Sequence, residues 1–221
     1  MEWWRQLHSD SQLELNRTGI PRHVLRQVIG DRGPTLGSSI LDAGCGCGEL
    51  SGYLAHLGFD VTGFDESPEQ IAKARRTTQG IDFISGSAAA MPVTAHRYDL
   101  VIVRGLSSYH GSMFDAAALR TSGQLLSSLR PGGRLIFLER SPSGDPDAAE
   151  SHREHCFARH LECFPGTVDV QNPETDRSGS SRWARWLPGT RNNGFILAAI
   201  EIPRQPHGRD EWMKIADASR I

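Results

Sequence analysis

The stretch from Ile40 to Ser67, ILDAGCGCGELSGYLAHLGFDVTGFDES, constrains the chain more than any other. A short apolar run meets three glycines at spacing two, Gly44, Gly46 and Gly48. Leu50, Tyr53, Leu54 and Leu57 then recur at i, i+3, i+4 and i+7, which places them on one stripe of a helix. Gly58 suits the end of that helix, and Phe59 to Phe64 reads as a second strand closed by Asp65. Strand, glycine turn, helix, strand and acid together make a parallel βαβ unit. In such a unit bare backbone approaches a ligand, and a carboxylate stands about 20 residues further on.

The alternation continues. Ser39 to Asp42 is a first, buried strand ending in acid. Ser67-Pro68-Glu69-Gln70 is a helix start, with Ser at the N-cap, Pro at the first helical position and Gln completing a capping box. Ile81 to Ile84 is a third strand and Asp99 to Val103 a fourth, apolar throughout as central parallel strands are. Ala116 to Leu129 reads as a helix with Leu119, Leu125, Leu126 and Leu129 on one face. Arg130-Pro131-Gly132-Gly133 ends it, and Arg134 to Glu139 is a fifth strand. The expected fold is a doubly wound, Rossmann-like α/β sheet with helices on both faces. Its ligand belongs at the carboxyl ends of the strands.

Beyond Glu139 the pattern loosens. Ser141 to Pro146 is a loop, Asp147 to Phe164 a single helix, and Pro165 to Ser181 a polar segment with a short strand at Val168 to Val170. Phe195 to Ile202 is a sixth strand and Trp212 to Ala216 a seventh. The reading is one domain over residues 1–221: an N-terminal helical cap at 1–38, a ligand-binding core at 39–139, a substrate-side insertion or lid at 140–193, and C-terminal strands at 194–221.

The glycines narrow the ligand. A dinucleotide fingerprint needs its third glycine at position 49, which is Glu49 here. A carboxylate opening the helix is also a poor neighbour for a pyrophosphate. Asp65 suits a ribose diol, whose two hydroxyls can both donate to an ionised carboxylate. The ligand therefore has a ribose and no phosphate near the turn. A net charge of -2 gives no basic field for nucleic acid or an anionic membrane. The polar start, MEWWRQLHSDSQ, has no apolar signal core, and no run approaches a membrane span. Cys45 and Cys47, one residue apart, are poorly placed to bridge, so reduced thiols and a cytoplasmic location are expected.

At this point a resemblance enters. LDAGCGCGEL, VTGFDESPEQIAKAR, ISGSAAAMPVTAHRYDLVIVRG and LRPGGRLIFLE, in that order, resemble the successive motifs of the class I S-adenosylmethionine-dependent methyltransferases. The late NNGFILAAIEI resembles that family's turn into antiparallel last strands. The resemblance implies a seven-stranded sheet with the last strand antiparallel, and S-adenosyl-L-methionine as cofactor with S-adenosyl-L-homocysteine as product. It implies cofactor contacts at Asp42, Gly44, Gly46, Gly48, Asp65, Glu66, Ser87, Ala88 and Arg104. Two departures stand out. Ser87 replaces the family's usual Asp at the adenine amino group, which shifts adenine contact toward the backbone of Ala88. Arg104-Gly105-Leu106-Ser107 stands where base-methylating branches carry an Asn/Asp-Pro-Pro-aromatic motif, which argues against a nucleic acid acceptor.

The chemistry asks the protein to exclude water and align acceptor, methyl and sulfur. A base is needed only if the acceptor must lose a proton. His110, in SSYHG, is the candidate, against its alternative as a loop histidine, and Tyr109 or Trp183 would position a small-molecule substrate. Arg104 would bind a carboxylate, against its alternative as a solvated strand-end charge, and Asp65 has an alternative as a helix-capping acid. His152, Cys156, His160 and Cys163 share a helix face about 16 Å long, too long for one tetrahedral metal site. A lid helix packing its weakly polar side over the cleft is the preferred reading, and no metal is expected. Trp183 and Trp186 would anchor the core, the preferred reading, or wall an apolar substrate pocket, and with Phe157 and Phe164 they would stand near the cleft mouth. Trp3 and Trp4 would cap the cofactor or pin the N-terminus. Three functions remain: a small-molecule methyltransferase, a cofactor-binding relative without transfer, and a less favoured NAD-linked oxidoreductase.

Overall fold

The computed structural model describes residues 6–7, 17–29, 34–92, 94–140, 156–171, 195–204 and 207–219. The elements in chain order are α1 (Arg22–Ile29), β1 (Ser39–Ala43), α2 (Glu49–His56), β2 (Asp60–Asp65), α3 (Pro68–Thr77), β3 (Asp82–Ser85), β4 (Tyr98–Val103), α4 (Ala116–Ser127), β5 (Leu129–Arg140), β6 (Thr167–Gln171), β7 (Phe195–Glu201) and α5 (Arg209–Ala218). Short 3-10 turns follow β3 at Ala88–Ala90 and β4 at Ser107–Tyr109, and residues 156–161 are helical.

The seven strands form one sheet in the order β3-β2-β1-β4-β5-β7-β6. β1 to β5 are mutually parallel, and β7 runs antiparallel to both its neighbours. Ala43 sits opposite both Phe64 and Val103, and Asp65 opposite Ser85, so the turns after β1, β2, β3 and β4 rise from one row. The strand order reverses between β1 and β4, which is where an open α/β sheet leaves a crevice.

Alternation along the strands sends side chains to two cores. Leu41, Val101, Leu135 and Ile200 meet α4 and α5 through Leu119, Leu125 and Trp212. Ile40, Leu100, Ile136 and Leu197 meet α1 and α2 through Leu25, Ile29, Leu50 and Leu54. Each fully buried aliphatic side chain is worth roughly 1.5–3 kcal/mol relative to exposure.

Three expectations are corrected. Trp212 to Ala216 is helix, not strand. Gly208 is its N-cap, Asp210 and Glu211 lie in the first turn, and Trp212 and Ala216, four apart, bury one helical face. The seventh strand is β6, at the short strand expected at Val168 to Val170. Leu129 is not in α4. The Ser127 and Ser128 hydroxyls bond back to the Gln124 and Leu125 carbonyls, the helix ends, and Leu129 pairs with Tyr98. Pro131 and the left-handed Gly132 (φ 76°) then bulge out of β5, and pairing resumes at Leu100 with Arg134. The capping box at α3 is half formed. Ser67 Oγ accepts from Gln70 N at 3.3 Å, but the Ser67 N–H goes to Asp65 and the Gln70 Oε1 accepts from the Cys47 thiol.

β5 ends, β6 ends and β7 begins on the carboxyl side of the sheet, with Arg140 opposite Phe195 and Gln171 opposite Leu197.

Candidate functional site

The turn after β1 is shaped by where its backbone must go. The N–H groups of Gly44 and Cys45 both reach the Phe64 carbonyl, at 2.7 and 2.9 Å. The Arg104 N–H binds the Ala43 carbonyl at 2.8 Å, which brings the β4 turn against the β1 turn. Gly44 is left-handed (φ 88°), and a Cβ there would lie 1.7 Å from the Arg104 carbonyl oxygen. Gly46 (φ 56°) is the opposite case, because a Cβ there would meet nothing within 4 Å. One glycine is demanded by packing and the other faces open space. Gly48 is the N-cap of α2.

Asp65 closes the turn from the other side. Its Oδ2 accepts from Gly46 N at 2.8 Å and its Oδ1 from Ser67 N at 2.9 Å. Each carboxylate oxygen keeps a lone pair beyond these bonds. The helix-capping reading of Asp65 and the ligand-facing one are thus compatible, since each uses part of the group.

Glu66, the next residue, spans the mouth. Its Oε2 accepts from Ser107 N at 2.8 Å and its Oε1 from Ala88 N at 3.3 Å. Burial pushes the Glu66 carboxyl up, but hydrogen bonds from Ser107 and Ala88 and the nearby His110 outweigh it and hold it below the usual range. The backbone donor that the sequence reserved for adenine, at Ala88, is thus already engaged. Ser87 is exposed, and its hydroxyl makes no cap bond to the turn it opens.

Asp42 lies behind the turn, fully buried, on the face shared with α2. Its Oδ2 accepts from Ser51 Oγ at 2.7 Å, whereas its Oδ1 has no partner. Burial raises its pKa, against the opposing pull of Arg104. Arg104 Nε is also buried without a partner, and its Nη1 reaches the Thr18 carbonyl at 3.5 Å. A buried acceptor and a buried donor thus stand unfilled beside the glycine turn.

His110 is exposed at the end of the Ser107–Tyr109 turn, its N–H on the Ser107 carbonyl. The Tyr109 hydroxyl is 2.8 Å from Ser122 Oγ, with its ring edge-on to Phe137 at 4.8 Å, so it is directed into the core rather than toward a substrate. Burial raises its pKa. Trp3, Trp4, His152, Trp183 and Trp186 lie outside the described residues. Phe157 and Phe164 do not wall a pocket. They are buried in the core against Phe137, His160 and Trp212. His160 is buried with both ring nitrogens engaged, and Cys163 lies in the turn after its helix. Among the described residues, no three His, Cys, Asp or Glu side chains cluster as metal ligands, and no helix is long and apolar enough to cross a membrane.

Sequence reasoning missed the bridging role of Glu66, the Cys47–Gln70 contact and the Tyr109–Ser122–His160 chain. All join residues far apart in the sequence. The one available sign was SSYH itself, three hydroxyl groups beside a histidine after an apolar strand.

Comparison with known proteins is consistent with this geometry. Residues 40–133 match the family model described as a methyltransferase domain. A malonyl-[acyl-carrier protein] O-methyltransferase of Enterobacter lignolyticus is 32% identical over 114 residues, 52% of this chain and 43% of that protein. An S-adenosyl-L-methionine-dependent Diels-Alderase of a Neonectria species is 34% identical over 182 residues, 80% of this chain and 66% of that protein. The chain spans about half the length of the curated relatives it first matches. In fold, it superposes on a Methanococcus maripaludis structure assigned to the S-adenosyl-L-methionine-dependent methyltransferases, with a TM-score of 0.59 and 17% identity over 92% of this chain and 93% of that one.

Proposed function

The chain belongs to the class I S-adenosylmethionine-dependent methyltransferases, and we propose from this that it transfers a methyl group to an oxygen, nitrogen or sulfur atom of a small molecule. The observation that carries the reading is the pair of unfilled buried groups beside an open glycine turn. Asp42 Oδ1 lacks a donor, Arg104 Nε lacks an acceptor, and Gly46 borders free space. An amino acid end group supplies both missing partners, an ammonium and a carboxylate. The residues present therefore fit S-adenosyl-L-methionine, with S-adenosyl-L-homocysteine as product.

When bound, this cofactor supplies a methyl group already activated on a sulfonium. The chain's own residues supply position. Asp42 takes the ammonium and Arg104 the carboxylate. Gly44, Gly46 and Gly48 give the backbone approach, and Asp65 turns its remaining lone pairs to the ribose hydroxyls. Glu66, Ser87 and Ala88 border the adenine. His110, exposed at the acceptor side, is the candidate general base. A small acceptor fits the near-neutral charge balance of -2 better than nucleic acid does. A cytoplasmic location agrees with the thiol content.

A second reading is favoured by the Neonectria relative, whose name pairs the cofactor with ring formation. Here the cofactor pocket is kept and no methyl group moves. Calorimetric titration with S-adenosyl-L-methionine, S-adenosyl-L-homocysteine and NAD tests the pocket. Incubation of methyl-labelled cofactor with a metabolite panel tests transfer. Binding of both sulfur ligands with label passing to a small molecule is expected. NAD binding alone overturns the family chemistry, and binding without label transfer selects the second reading.

A further inference from the structure

His160 belongs to HREHCFARHLEC, the segment whose spacing raised a metal. The residue is 0% exposed, ringed by Tyr109, Phe114, Phe137 and Phe164 at centroid distances of 5.9, 6.2, 5.9 and 5.8 Å. Its Nδ1 lies 2.6 Å from the Met113 carbonyl and its Nε2 2.7 Å from Ser122 Oγ. A carbonyl only accepts, so Nδ1 carries the proton. Burial pushes the ring pKa down to about 4, against the Met113 carbonyl, so the ring is neutral and Nε2 is an acceptor. Ser122 therefore donates to His160, and Tyr109 donates to Ser122.

The two ends of this chain bracket one loop. Tyr109 and Met113 lie on either side of His110, and His160 grips both, the first through Ser122 and the second directly. Thr121, beside Ser122 on α4, adds a bond to Ser108 at 3.0 Å. We propose that His160 is a positioning residue that staples the His110 loop at both ends and so sets where the acceptor side of the cleft presents His110. The purpose of the loop rests on the function proposed above, whereas the staple itself does not.

The test uses the full chain as wild type, His160→Phe and Ser122→Ala. His160→Phe keeps a ring in the aromatic cluster and removes both hydrogen bonds. Imidazole nitrogen NMR of the wild type should show the Nδ1-protonated form of His160, with no titration between about pH 8 and 6. Amide exchange at Tyr109 and His110 should rise at least about tenfold in His160→Phe, with the His110 ring signals displaced. Exchange in β1 and β2 should not change, and S-adenosyl-L-homocysteine affinity should stay within about twofold. Ser122→Ala should loosen the Tyr109 end alone. If His160→Phe does not fold, Ser122→Ala decides by the same readout. Unchanged loop exchange in a folded variant, or an equal rise across the whole sheet, overturns the proposal. Failure of the wild type to bind S-adenosyl-L-homocysteine overturns the function instead, and leaves the exchange result to judge the staple.

Discussion

Glu66 accepts the backbone N–H of Ser107 at 2.8 Å, which ties the end of β2 to the turn that carries His110. Its neighbour Asp65 binds Gly46 and Ser67 in the same way. With Ala88 included, two consecutive carboxylates hold backbone donors from four separate segments of the cleft wall. Hydrogen bonds to ionised acceptors are the strong kind, so the wall is set before any ligand arrives.

Asp65→Ala removes the carboxylate proposed to accept from the ribose and two backbone contacts at once. Cofactor affinity should fall by roughly 1.5–3 kcal/mol, read by titration with S-adenosyl-L-homocysteine. Stability should fall too, by about 1–3 kcal/mol, because Gly46 and Ser67 lose their acceptor. An unchanged dissociation constant in the folded variant removes Asp65 from the binding site.

Gly44→Ala and Gly46→Ala should part company. At Gly44 the new methyl group runs into the Arg104 carbonyl, so a loss of at least about 3 kcal/mol or failure to fold is expected. At Gly46 the space is free and only the left-handed backbone is penalised, by about 1–2 kcal/mol. Its methyl group would instead intrude on the ligand. Denaturant unfolding and ligand titration on both variants separate the effects, and equal stability losses contradict the packing described.

Asp42 should make stability depend on pH. Its folded pKa is raised, chiefly by burial, above the usual value of 3.8. The unfolded chain therefore gives up this proton first, and stability falls as pH climbs from about 3.8 until the folded pKa is passed. Asp42→Asn abolishes that fall, so its advantage over the wild type should be near zero in acid and grow toward neutrality. Urea unfolding across the range reads it. The same variant should bind the cofactor more weakly, having lost the charge proposed to meet the ammonium.

His110→Ala should lower turnover by about two orders of magnitude if the acceptor needs a general base, with S-adenosyl-L-homocysteine affinity kept. The measurement uses whichever acceptor the labelled metabolite panel identifies. Full turnover in the variant assigns transfer to alignment alone and leaves His110 a loop residue.

The sheet was legible because its information is local. Glycine spacing, helical stripes and apolar runs placed β1 to β4 and the helices between them to within a residue or two, whereas β5 begins five residues before the expected Arg134. The same locality explains the failures. Trp212 and Ala216 were read as strand although their spacing of four is helical, and Leu129 was carried into α4 because its stripe ran on past Ser127. On the site side, spacing put the glycine turn and Asp65 at one sheet edge, and the hydrogen bond from Gly46 N to Asp65 joins them there. What could not be read was partnership: Glu66 reaching Ser107, Cys47 turning to Gln70, and His160 closing on Met113 are contacts 41, 23 and 47 residues apart, which only folding creates.

β5 and β6 finish, and β7 starts, on the side of the sheet where the cofactor turns stand. Arg140 at the end of β5, Gln171 at the end of β6 and Phe195 at the start of β7 are all held on that side by strand pairing. A change in the chain beyond these ends costs the sheet no ladder hydrogen bond. On the function proposed above, the architecture separates heritable risk from heritable novelty: mutation beyond these strand ends could explore new acceptors without endangering the turns proposed to hold the methyl donor.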